Sequence, residues 1–425
     1  MNKLHDINRS RRKALKTISK LSLAGVAAAK APYVFARQST VLRVLGTHVT
    51  LQDELREQAE RDLGFSIQFE PRGSAAVLQK ASMFPESFDL YEQWSDSINV
   101  LWQAGAIQPI EKARLTYWNE INSLTKTGQL RPDAKIGAGD APNRILNIQP
   151  DDSLGSEPTD KISFLPYVHN VDSFGYDTRV IPKGVPYKTE SWGWLLDESN
   201  RGKVGIVNAP TIGIFDLILA VQAKGLMTFN DISNLSIDEL NALFDIIGEY
   251  KRAGHFSGYW TSVPESVDFM KSGRTTIQSM FSPGISALKG NGIPVVYAAP
   301  KEGYRGWHGV MCLSSQTQGR SKDMAYDYMN WWLSGWPGAF IARQGYYISN
   351  PQRSKPLLSQ YEWDYWYEGK PAKSELRGTD GNISVGKGET RTGGSYVERF
   401  SNVAVWNTVM PNYDYSLQKW YEFIS

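Results

Sequence analysis

Cysteine is almost absent from this chain: Cys312 stands alone among 425 residues, so no intramolecular disulfide can form. Histidine is scarce too, with 5 residues that form no pair at metal-ligand spacing beyond the amino-terminal segment, and no metal or other cofactor is expected. Neither sign of charge dominates. Lys and Arg number 46 against 44 Asp and Glu, a net charge of +2, so nucleic acid and other polyanions have no support as partners. Signatures of catalysis are missing: there is no Gly-x-Ser-x-Gly elbow, no His-Glu-x-x-His and no phosphate loop. Gly386-Lys387-Gly388-Glu389 is Gly-rich but lacks the strand-to-helix context of a phosphate cradle, and Cys312 lies in an apolar run that reads as core. The chain is expected to carry no chemistry of its own.

What is present begins at the amino terminus. Ser10-Arg11-Arg12-Lys13-Ala14-Leu15-Lys16 is a twin-arginine heptad, with Ala14 where an aromatic is favoured. Leu21 to Ala29 follows as an apolar stretch, well short of the roughly 20 residues that span a bilayer. A charged front, a short apolar middle and a small-residue end define a cleavable export signal. Val34-Phe35-Ala36 places the cut after Ala36, and with no cysteine nearby a lipid anchor is not expected. These features predict export in the folded state by the twin-arginine translocase and residence in the periplasm. Hydrophobic residues at 41% and charged residues at 21% describe a globular remainder, long enough for two domains.

Strand and helix signals alternate along that remainder. Val41 to Leu45 reads as a strand and Gly46-Thr47-His48-Val49 as its loop. Thr50 is placed to cap a helix carrying Leu51, Leu55, Ala59 and Leu63 on one face, with Gly64 as its stop. Ser66 to Phe69 and Phe88 to Tyr91 read as strands, with helices over Ala75 to Phe84 and Ile98 to Trp102. Further on, strands are expected at Val204 to Val207, Thr275 to Phe281, Pro294 to Tyr297 and Val310 to Leu313. Helices are expected at Ile214 to Val221, Ser236 to Lys251, Ser266 to Lys271 and Lys322 to Leu333. Two polar stretches, about 125–161 and 370–394, lack a period and read as insertions. The alternation means an α/β fold with a mainly parallel sheet, whose ligands sit at the carboxyl ends of strands.

Several blocks, in order, resemble the periplasmic spermidine/putrescine-type solute-binding proteins of ABC transporters. They are Phe88-Asp89-Leu90 with Gly105-Ala106-Ile107-Gln108-Pro109-Ile110; Leu165-Pro166-Tyr167 with Phe174-Gly175-Tyr176-Asp177; and Thr189-Glu190-Ser191-Trp192 with Gly202-Lys203-Val204-Gly205-Ile206. Pro300-Lys301-Glu302-Gly303 followed by Trp307 is the most specific, and Gln344-Gly345-Tyr346 completes the set. The resemblance implies a two-lobed periplasmic-binding-protein fold of type II, with a ligand cleft between lobes that closes by hinge motion. It also implies delivery of a small-molecule ligand to an ABC permease in the inner membrane. Residues 1–36 are then the signal, 37–168 with about 307–360 the first lobe, and 169–306 with about 361–425 the second.

Family members that hold polyamines surround the amines with carboxylates and aromatic rings, because an ammonium taken from water needs anionic partners and ring faces. Here Trp307 and Tyr346 match family aromatics, and Phe281 replaces an indole. Gly309 stands where the family has its key aspartate; Asn208-Ala209-Pro210-Thr211 lacks an acidic pair; Thr47 and Thr50 replace aromatics. Asp96, beside Trp94, is the carboxylate newly available. The expected ligand is a small polar solute, zwitterionic or mono-cationic, though hydroxyl and imidazole donors could equally take an anionic group. Candidate ligand-binding residues are Thr47, His48, Trp94, Asp96, Thr211, Phe281, Ser282, Trp307, His308 and Tyr346. His169-Asn170 lies in the crossover as hinge or contact, and Asp216 reads as a first-turn acid facing its helix dipole.

Two alternatives remain. His48 with Glu92 is similar to the first-lobe ligands of ferric-ion-binding proteins, but the tyrosine pair of that family is replaced by Phe281-Ser282. A periplasmic enzyme exported by the twin-arginine route is the other.

Overall fold

Strand β1 (Leu42–Gly46), helix α1 (Asp53–Leu63), strand β2 (Ile67–Pro71), helix α2 (Ser74–Met83) and strand β3 (Leu90–Trp94) follow one another in a computed structural model that describes residues 41–425. The twin-arginine heptad and the Ala36 cleavage site lie outside the described residues. β1 pairs in parallel with β2 and with β3, the arrangement that helical crossovers impose. Leu55 and Ala59 turn the buried face of α1 to the sheet, and Gly64 ends the helix in the left-handed conformation at φ 73°.

A second parallel set repeats the theme. Strand β4 (Leu165–Asp177) is followed by β5 (Val204–Val207), helix α3 (Pro210–Ala223), helix α4 (Ile237–Arg252), β6 (Phe256–Trp260), helix α5 (Val263–Lys271), β7 (Ile277–Met280) and helix α6 (Ser282–Gly290). Then come β8 (Val295–Tyr297) and the long strand β9 (Tyr304–Ser314). Sheet order is β6-β5-β7-β4-β9-β3-β1-β2, so the antiparallel pair β4 and β9 joins the two parallel sets. α4 begins with a reciprocal capping box between Ser236 and Glu239. α3 is buried on all sides from Ile212 to Val221, as expected of a helix whose apolarity has no polar face.

Each half has its own apolar core. One gathers Leu42, Val44, Leu55, Leu90, Val168 and Val310; the other gathers Phe174, Trp192, Val204, Ile218, Leu243 and Trp420. A third cluster, with Val171, Tyr304, Tyr347 and Trp406, packs where the crossover strands meet the carboxyl-terminal segment. There strand β10 (Val403–Trp406) runs parallel to the start of β9.

Four differences from the sequence reading have physical causes. Thr50 caps nothing: α1 starts at Asp53, and the Thr50 hydroxyl lies 3.1 Å from the buried Tyr167 phenol. The strand expected at Phe88 begins at Leu90, because Asp89 accepts from both the Arg43 backbone (2.9 Å) and its guanidinium. Val310 to Leu313 is the end of an eleven-residue strand rather than a short one. Asp216 is not in a first turn: α3 starts at Pro210, and the carboxylate is fully buried against Arg305.

Both polar stretches are folded. Within 110–162, four short strands form a separate small sheet, and Leu124, Ala141, Ile145 and Leu146 are buried. The segment 137–139 runs against β10, where a Cβ on Gly139 would meet the Trp406 carbonyl oxygen at 2.4 Å. The stretch 370–394 makes a hairpin of Leu376–Arg377 and Ile383–Val385. An ion pair between Lys289 and Glu389 ties that stretch to α6.

Candidate functional site

The carboxyl ends of β1, β3, β5, β6 and β7 open on one cavity of about 1050 Å³. Its walls include Thr47, His48, Trp94, Ala209, Thr261 and Phe281. The hairpin contributes Thr379, Asp380, Asn382 and Ser384 from the far side. Below it lies a recess of about 50 Å³ that shares Val49, Trp94, Ile212, Phe281 and Tyr346 with the larger space and adds Asp172, Arg305, Trp307 and Asn407.

The recess is walled by rings. Trp307 meets Trp94 edge-on with centroids 4.9 Å apart, and Tyr346 at 5.5 Å, while Phe281 meets Trp260 at 5.2 Å. T-shaped packing of this kind holds each ring by its neighbours.

The polar groups of the floor come from the crossover strands. Arg305 on β9 stands opposite Asp172 on β4 in the strand register. Its Nε donates to Asp216 Oδ1 at 2.8 Å and its Nη1 to Asn407 Oδ1 at 3.2 Å, while Asp172 Oδ2 is 3.7 Å away. Asp172 Oδ1 accepts from the Tyr297 hydroxyl at 2.9 Å. Burial pushes the Asp172 carboxyl up to about 6, with Arg305 opposing, and raises Asp216 for the same reason. Burial alone would lower Arg305, but Asp216 and Asp172 outweigh it and hold the guanidinium charged.

The structure brings together Thr47, His48, Trp94, Phe281 and Tyr346 on the large cavity and Trp307 on its floor. The other four candidates lie elsewhere. His308 is fully buried and stacks on His169 at 4.9 Å, with Nδ1 2.8 Å from the Gly309 carbonyl. Adjacent strand residues face opposite ways, so Trp307 in the recess sends His308 to the other face; burial pushes its imidazole down to about 3. Asp96 sits in the buried turn Ser95–Ser97. It faces Thr211 and Asp140, and burial together with Asp140 raises it to about 7. Thr211 lines a small recess with Thr408 and Met410. Ser282 lies behind Phe281 in a recess shared with Arg391 and Tyr365.

Glu92 does not join His48. It is fully buried, accepts from Tyr167 at 3.0 Å, and is pushed up to about 7 by that burial. Among the described residues no group of three or more His, Cys, Asp or Glu could hold a metal ion.

Sequence reasoning missed Asp172, Arg305, Asn407, Trp260 and the hairpin residues. No local signal marks Asp172 and Arg305, which the register of two strands far apart in the sequence brings together.

Residues 54–354 match the family model described as bacterial extracellular solute-binding protein. The chain belongs to that family. Among solved structures, a putative spermidine/putrescine ABC transporter from Listeria monocytogenes aligns with a TM-score of 0.64 at 12% identity, covering 90% of this chain and 98% of its own. The spermidine/putrescine substrate-binding protein PotD of Streptococcus pneumoniae gives 0.60 at 13%, over 91% and 100%. A binding protein from A. tumefaciens R10 in complex with agropinic acid gives 0.55 at 12%, over 90% and 98%. The fold is therefore the two-lobed, type II solute-binding one. Proteins named for polyamines and one bound to an acid share it, so fold alone does not select the charge of a ligand.

Proposed function

We propose that this protein is the substrate-binding component of an ABC importer. Exported through the twin-arginine route to the periplasm, it captures a small polar organic solute and delivers it to a membrane permease. Its lobes, 37–168 with about 307–360 and 169–306 with about 361–425, close about β4 and β9. The observation that carries this reading is the ring-walled recess at the base of a cavity formed by strand ends from both halves. A concave site of mostly apolar walls with a few convergent polar groups is what ligand capture requires. Among the described residues no helix is long and apolar enough to cross a membrane. The binding step is tested by a thermal-shift screen over amines, amino-acid derivatives, sulfonates and osmolytes, since a ligand that binds only the native state raises its melting temperature. A hit is expected to lose its shift in Trp307→Ala. Release of product from a hit would move the protein to the enzymes, and a screen without hits would remove solute capture.

A further inference from the structure

We propose that a small anion of carboxylate size binds beneath the hairpin 376–385, held by Arg391 and Arg399 against the first turn of α6. The site lies behind Phe281, apart from the ring-walled recess, and does not depend on solute capture.

The walls of this second recess, about 40 Å³, carry the cations Lys289, Arg391 and Arg399 and a single acid, Glu389. Glu389 is already paired with Lys289. The two arginines are 8% and 1% exposed, and among the described residues their guanidiniums donate only to backbone carbonyls. Arg391 gives Nη1 to Trp366 at 3.1 Å and Nη2 to Gly345 at 2.8 Å. Arg399 gives Nη1 to Thr392 at 2.7 Å and Nη2 to Val171 at 3.4 Å. Buried cations with neutral partners cost free energy until an anion meets them. Burial lowers Lys289 to about 8, and Lys183 and Arg391 add to that, as a positive field requires.

The hydrogen bonds left unmade are of one kind. Arg399 Nε and Trp366 Nε1 are the buried wall atoms without a partner, and both can only donate. An anion can accept from them, whereas a cation cannot. The helix adds to the same preference. α6 has no side-chain cap, and Ser282, Ile285 and Ser286 of its first turn lie in the wall, where the helix dipole favours negative charge. Asp172 does not cancel the excess. It feels Arg305 as well as Arg399, and Arg305 also serves Asp216. Three guanidiniums thus stand against two carboxylates around Tyr297, which lines the recess and donates to Asp172.

The volume suits a carboxylate and excludes the body of a solute, and a forked guanidinium matches carboxylate geometry. Ser286 and Ser384 line both this recess and the large cavity, so the group can arrive as a free ion or as the acidic end of a solute. Either way it would bridge Ser384 of the hairpin to α6 and fasten the hairpin over the cavity. Trp366, Arg391 and Arg399 all follow residues 54–354, the span of the family match.

Isothermal titration with sodium formate and sodium butyrate, in sodium gluconate at fixed ionic strength, tests the site. Formate should saturate one site and raise the melting temperature. Arg391→Gln should weaken formate tenfold or more. Glu389→Gln, which removes the acid and frees Lys289, should tighten it about threefold, a gain that a merely loosened fold would not give. Butyrate binding as well as formate assigns the site to the acidic end of a solute, and butyrate tenfold weaker assigns it to a free ion; both uphold the proposal. No saturable formate binding, or an affinity unchanged in Arg391→Gln, overturns it. Should Arg391→Gln not fold, formate affinity unchanged or weakened in Glu389→Gln overturns it instead. Solute capture is decided separately by the thermal-shift screen.

Discussion

The floor and the rim of the cleft are built on different principles. The floor draws Asp172 and Arg305 from two long paired strands and Asp216 from a fully buried helix, and each of these side chains is at most 4% exposed. The rim draws His48 from an exposed loop, and Asp380 and Asn382 from the turn of a hairpin. Charge on the floor is desolvated, so each partner matters both to folding and to whatever replaces water there. Charge on the rim stays in high dielectric and contributes little to either. Specificity should therefore reside in the floor, and the rim should set access.

The largest expected effect comes from breaking the floor. Arg305→Ala leaves Asp216 and Asp172 buried without their cation and should cost about 3–5 kcal/mol in chemical denaturation. On the rim, Arg343→Ala removes a half-exposed partner of Glu362 and should cost less than about 1 kcal/mol in the same assay. Comparable losses for the two would erase the distinction. Next in size is Trp307→Ala, expected to weaken a solute found in the thermal-shift screen by about 30-fold or more, as removal of a central buried aromatic does.

A pH-dependent effect separates the buried acids behind the floor from those of the rim. The Asp96 carboxyl, raised to about 7 in the fold by burial and by Asp140, binds its proton more tightly there than in the unfolded chain. Its contribution is therefore fully favourable below the unfolded value of about 4 and is lost as pH rises through 7. Asp96→Asn should consequently stabilise the protein at pH about 8, on the order of 2 kcal/mol, and by much less at pH about 5. A melting-temperature difference independent of pH would contradict this. Smallest of all, Asp380→Ala on the hairpin should change solute affinity by less than about threefold, in line with exposed polar contacts at a rim.

Local signals made much of the fold legible. Val204 to Val207 matches its strand to the residue, and the helix expected at Ser236 to Lys251 runs from Ile237 to Arg252 with Ser236 as its cap, because propensity and capping act over a few neighbours. Trp94, Phe281, Trp307 and Tyr346, expected from strand ends or from blocks shared with a known family, line the cavity or its recess. His308 was placed wrongly for want of the two-residue alternation that Trp307 already fixed. Asp96 was misplaced because a tight turn after β3 swings its carboxylate inward. The pairing of Asp172 with Arg305 depends on the register of strands far apart in sequence, which no local pattern encodes. For the hairpin, composition gave a polar surface stretch but could not say that it would fold over the cavity.

The central claim is that a solute sits head-down on the cleft floor. A crystal structure of the protein with the strongest compound from the thermal-shift screen tests it most directly. The account predicts density for the head of that compound between Trp94, Trp307 and Tyr346, with a polar group of the head against Asp172 and Arg305. Density confined to the hairpin rim, or a head group turned away from Asp172, would contradict it.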